Sequence, residues 1–243
     1  MIKLVKLLLF AQGRRRMLRL LKALAASMLL SSLALAANPK TVRGAAVSGA
    51  RLDNGTVRVS ILNLSQHGIT GWTLAITQRL SNGQASYEEH TEDYGPPEDT
   101  HKGVHSGDAI EYTEPAQDGA QTVDAQLVVV FYDDQTAEVK NERSFEDTMK
   151  VRRANAIALQ QTAEAFKNAA ADASPRERAA HDFDELQRNA DTNKADRGFL
   201  SSYAGVAASA PRGQERDFMQ RQAKQLQRMA DNSTRHATIR RLP

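Results

Sequence analysis

The residue types that could do chemistry crowd into one stretch, residues 88–108, which holds Glu88, Glu89, His90, Glu92, Asp93, Glu98, Asp99, His101, His105 and Asp108. His101 and His105 are four apart, a spacing that puts two imidazoles on one helical face and suits zinc. Gly95-Pro96-Pro97 and Gly103 work against a helix there. The stretch therefore reads as an acidic, solvated loop between two strands, whose crowded carboxylates raise one another's pKa. Neither the H-E-x-x-H pair nor the D-x-D-x-D-G calcium loop occurs. His90, His101, His105 and Asp99 are the candidate ligands of an alternative reading, a metal-binding protein or metal-dependent enzyme. The main reading needs no cofactor and is non-enzymatic. The sequence has no G-x-S-x-G, no G-x-G-x-x-G and no P-loop around which to build a reaction. It also has no cysteine, which excludes thiolate metal sites, cysteine nucleophiles and disulfides.

The elements that would position these groups fall into two halves. Over residues 56–64, Val57, Val59 and Ile61 alternate with Thr56, Arg58 and Ser60, the period of a half-buried strand. Residues 69–78 follow with Trp72, Leu74 and Ile76 on one face, then Asn82-Gly83 as a hairpin turn into residues 84–89. Residues 42–52, 108–112, 125–132 and 136–140 complete a set of seven short strands, the density of a sandwich.

The run Val57-x-Val59-x-Ile61-x-Asn63-Leu64-Ser65, then Ile69-x-Gly71-Trp72-x-Leu74, then Leu127-Val128-Val129-Val130-Phe131 with its acidic hairpin, resembles the immunoglobulin-like and fibronectin type III-like modules of bacterial secreted proteins. The resemblance covers about residues 40–142. It implies a β-sandwich that binds a ligand or spaces other domains, with Trp72 as the buried tryptophan of the third strand. The usual inter-sheet cysteines are missing. It brings no catalytic residues. Both faces of residues 127–132 are apolar, where a strand with one solvated face would alternate. The helical half is expected to cover the outer face near Val128 and Val130.

In that second half, Phe145, Met149, Ala156, Leu159, Ala163, Phe166 and Ala170 recur at spacings of three and four, with Arg152 in the missing step. Ser174-Pro175-Arg176-Glu177 is a helix start. Ala179, Phe183 and Leu186 mark a second helix, and Phe199, Tyr203 and Val206 a third near residues 194–208. A fourth follows Pro211 and carries Met219, Ala223, Leu226 and Ala230. Met219, Ala223 and Leu226 are the candidate partner surface, either for a homo-oligomer or for an unknown envelope protein. The competing expectation is packing within the chain. Residues 233–243, polar and basic, read as a disordered tail.

Residues 1–37 carry seven basic and no acidic residues. They end in fifteen uncharged residues with Ala34-Leu35-Ala36 beside a cleavage position, the order of a secretory signal peptide. Fifteen is short of the ~20 residues of a spanning helix, so membrane contact is expected only through an uncleaved signal. Residues 38–142 carry seven basic and sixteen acidic residues, and residues 143–243 eighteen and thirteen. The basic whole-chain pI therefore belongs largely to the signal, and no nucleic-acid partner is expected. The expected organisation is α+β: signal peptide 1–37, immunoglobulin-like antiparallel sandwich 38–142, α-helical region 143–232 of three to four helices, and tail 233–243. The expected location is the periplasm or the extracellular space.

Overall fold

A computed structural model describes residues 42–95, 103–189 and 194–243; residues 1–37, expected to be a signal peptide, lie outside them. The chain is α+β. Strands β1 (Ala45–Asp53), β2 (Thr56–Asn63), β3 (Ile69–Leu80), β4 (Ala85–Asp93), β5 (Ala109–Pro115), β6 (Ala120–Tyr132) and β7 (Thr136–Val139) come first. Helices α1 (Glu142–Ala171), α2 (Pro175–Asn189), α3 (Lys194–Ala208) and α4 (Glu215–His236) follow, and a short β8 (Arg240–Arg241) closes the chain. One sheet has the order β1-β2-β5 and the other β4-β3-β6-β7-β8.

Alternation builds the core between the sheets. Val57, Val59 and Ile61 from β2 meet Trp72, Leu74 and Ile76 from β3 and Leu127 and Val130 from β6, all buried in one cluster. Trp72 is 1 % exposed. It stands edge-on to Tyr112 at 5.6 Å, and its Nε1 donates to the Tyr94 hydroxyl at 3.0 Å. Such a residue is among the largest single sources of apolar burial in a domain. Asn54 and Gly55, with φ of 48° and 76°, form the tight turn between β1 and β2, which needs positive φ at both central positions. Asn63 is fully buried at the end of β2. Its Nδ2 donates to the carbonyls of His67 and Val104 at 2.8 and 2.9 Å, pinning two loops.

The helices do cover the outer face of β6, but through different residues from those expected. Val129 and Phe131 pack with Ala137, Phe145 and Met149 in a separate cluster, and Phe131 stacks on Phe145 at 5.7 Å. Val130 and Tyr132 turn inward with Leu127. The cause is a bulge: Thr73 pairs with Val129 but the next residue, Leu74, pairs with Leu127. The skipped Val128 shifts the alternation by one, which exchanges the two faces beyond it.

Helix α1 begins at Asn141, whose side chain accepts from the amides of Arg143 and Ser144. Phe166 of α1 meets Phe183 of α2 edge-on at 5.4 Å and Tyr203 of α3 at 6.3 Å. Met219 and Leu226 of α4 are buried in the same cluster. Residues 233–243 differ from the expected tail. Helix α4 runs on to His236, and β8 pairs in parallel with β7. Arg240 and Leu242 donate their amides to Gln135 and Ala137. Arg241 bonds Glu142 and Glu146 and lies over the Phe145 ring. Replacing Asn141 by Ala removes the cap of α1 and is expected to lower the unfolding free energy by about 1 kcal/mol in a denaturant titration.

Candidate functional site

The first six residues of the chemistry-bearing stretch, 88–93, are strand and not loop. Residues 85–93 form β4, at one edge of the five-stranded sheet. A strand sends successive side chains to opposite faces, so the acidic run is sorted into two sets. Tyr87, Glu89 and Asp93 make their contacts on the helical side, while Glu88 and His90 make theirs with Gln117, Tyr112 and Glu114 around β5.

On the helical side, Arg152 fills the step that interrupts the apolar stripe of α1. It is 2 % exposed. Its Nε and Nη2 donate to the two oxygens of Asp93 at 2.9 and 3.0 Å, a bidentate pair. Its Nη1 donates to the His236 carbonyl at 3.2 Å, and its guanidinium lies 3.9 Å from the Phe131 ring centroid. His236 Nε2 donates to Asp93 Oδ1 at 2.9 Å. Gly71 permits the approach: a Cβ there would lie 3.0 Å from Arg152 Nη2 and from the Glu92 carbonyl. Burial alone would raise the Asp93 carboxyl, but the hydrogen bonds from His236 and Arg152 and the charge of Arg152 hold it far below the usual carboxylate range. Glu89 behaves alike. Burial pushes it up, yet hydrogen bonds from Ser144, Tyr87 and Asn141 leave it lowered. The expected rise by mutual repulsion is therefore reversed at both residues, because each carboxylate has acquired donors from α1 or its cap.

On the other side, His90 Nε2 is 2.7 Å from Glu114 Oε2 and 3.6 Å from Glu88 Oε2. The imidazole lies 5.3 Å from the Tyr112 ring centroid. Tyr112 donates its hydroxyl to Glu114 Oε2 at 2.9 Å, and Gln117 Nε2 donates to Glu88 Oε1 at 2.6 Å. His90 Nε2 and Glu114 Oε1 are both buried without a hydrogen bond. The Tyr112 hydroxyl is pushed up, first by burial, then by its bond to Glu114 and by the charges of Glu114, Glu92 and Glu88.

Of the sequence candidates, His90 belongs to this group. His105 is exposed in the turn before β5, and Asp99 and His101 lie outside the described residues. Glu114 was missed because its neighbours in sequence carry no signal; pairing of β5 with β2 brings it opposite β4. Among the described residues, two other groups could gather a cation, His67 with Asp133 and Asp134, and His181 with Asp182 and Glu185. The first is wholly exposed, and in the second Asp182 is already bonded by Arg178 at 3.0 Å. The candidate partner surface is corrected outright: Met219 and Leu226 are at most 1 % exposed and Ala223 9 %, packed inside the chain's own helical cluster.

No family model matches the chain, and no curated protein matches it either. Among solved structures, a hypothetical protein from Peptoclostridium difficile 630 aligns over 45 % of this chain and 92 % of its own, at 10 % identity and a TM-score of 0.27. A likeness at that score carries no argument about fold or function.

Arg152→Ala removes the bidentate donor of Asp93 and the donor to the His236 carbonyl and is expected to cost about 3–5 kcal/mol in equilibrium unfolding. Because the Asp93 carboxyl is lowered on folding, its contribution is complete above the unfolded-state value near pH 4 and disappears as pH falls toward the folded-state value. Denaturant titrations between pH 7 and pH 3 should show wild-type stability falling with acid and a shallower fall in Asp93→Asn.

Proposed function

We propose that this chain is a non-enzymatic protein exported to the periplasm or the extracellular space. Its two-sheet half serves as an immunoglobulin-like or fibronectin type III-like binding or spacer module, and its helices brace that module. The strand order carries the reading. The first, second and fifth strands share one sheet, while the third, sixth and seventh share the other, the grouping that immunoglobulin-like sandwiches use. The fourth strand pairs with the third rather than with the fifth, which favours the fibronectin-like variant over the constant-type immunoglobulin one.

Two further observations support a passive module. Two carboxylates of the acidic stretch, Asp93 and Glu89, are engaged in joining the sheet to the helices, Asp93 through Arg152 and His236 and Glu89 through Ser144. The apolar face of α4 is packed within the chain, so a partner would have to use another surface. Among the described residues no helix is long and apolar enough to cross a membrane.

Export is tested by expressing the full chain in a bacterial host, fractionating the cells and measuring the intact mass. The reading expects a periplasmic or secreted product beginning near Ala37. A full-length product confined to the cytoplasm would overturn it.

A further inference from the structure

The geometry points to a binding site for one divalent transition-metal ion at Glu88, His90 and Glu114, on the face of β4 turned away from the helices. The inference does not depend on export or on the module being a binder.

Three observations carry it. The first is convergence. One ligand atom from each residue lies within 4.8 Å of the others. Around a tetrahedral zinc ion with bonds of about 2.0–2.2 Å, neighbouring donor atoms sit roughly 3.3 Å apart. The two gaps from His90 Nε2, 2.7 and 3.6 Å, bracket that spacing, so shifts of a few tenths of an ångström would fit an ion between them.

The second observation is the unanswered polar atoms. Were this a plain histidine–glutamate pair, the short contact would be a hydrogen bond. Instead His90 Nε2 lies 2.7 Å from Glu114 Oε2 without a hydrogen bond to it, and Glu114 Oε1 has no donor. The Glu114 side chain is only 10 % exposed. A buried carboxylate oxygen and a buried ring nitrogen, both without partners and belonging to one cluster, are costly in a folded protein. A cation bound by both removes the cost at both.

The third observation is the outer ring of support. Gln117 holds the far oxygen of Glu88 and Tyr112 holds Glu114, so each carboxylate is oriented by a neutral donor, as metal-ligating carboxylates usually are. Among the described residues, no lysine or arginine forms an ion pair with Glu88, His90 or Glu114. An imidazole with two carboxylates suits zinc and its first-row neighbours over calcium or magnesium, which take oxygen donors. Three protein ligands leave a fourth position for water.

The test is isothermal titration of zinc chloride into the chelator-treated, tag-free full chain, followed by zinc-edge X-ray absorption of the loaded protein. One zinc per chain is expected, with affinity reduced at least about tenfold in His90→Gln and in Glu114→Gln and unchanged in His67→Gln. A tenfold excess of calcium should not displace the zinc. Circular dichroism establishes that each variant is folded. The absorption spectrum of the wild type requires no variant and should show one imidazole with oxygen donors. Absence of stoichiometric zinc, binding unaltered in folded His90→Gln and Glu114→Gln, or a site with two or more imidazoles would each overturn the proposal.

Discussion

The burial of one guanidinium organises how the two halves of this chain meet. Arg152 has no route to water, so its charge must be answered within the protein. The answer comes from three elements at once: the carboxylate of Asp93 at the end of β4, the carbonyl of His236 at the end of α4, and the face of Phe131 on β6. Losing the Asp93 carboxylate would leave the guanidinium buried without a counter-charge. The arrangement therefore fixes where α1 crosses the sheet and where α4 must stop. An apolar residue in place of Arg152 would pack there with less demand on geometry, and with less power to set it.

From that constraint the rest of the helical side follows. With α1 fixed, Phe145 and Met149 lie on Val129 and Phe131, and Glu89 reaches the Asn141 cap and Ser144. With α4 ending at His236, the chain is delivered to the open edge of β7, where β8 adds a strand and Arg241 returns to the first turns of α1. The edge of the sheet is thereby covered by the chain itself, a common defence against pairing with other molecules. The other face of β4 is free of these demands, and its Glu88 and His90 meet Glu114 instead. One strand thus performs two tasks because alternate residues never share a face.

Much of this was legible in the sequence. The seven strands, the positions of all four helices and the burial of Trp72 follow from local periodicity and turn residues, signals contained within a few residues of each element. Arg152 was visible as a gap in an apolar stripe, but its partners lie in distant parts of the chain, so the gap had no meaning until the fold supplied Asp93 and His236. The bulge at Val128 was illegible because it is a property of how β3 and β6 pair, and a run apolar on both faces, as residues 127–132 are, carries no mark of where the register slips. The strand at Arg240–Arg241 was illegible because two polar residues form a strand only where an edge awaits them. The acidic run misled for a related reason: glycine and proline at positions 95–97 suggested a loop throughout, whereas the strand persists to Asp93 and sorts its charges by face.

The claim that sheet and helices form one unit joined at Arg152 is tested most directly by native-state hydrogen exchange followed by residue across increasing denaturant. The account predicts that the slowest amides of β3, β6, α1 and α4 converge on a single opening free energy. Helices that open at a much lower free energy than the strands, while the strands keep their full protection, would contradict it.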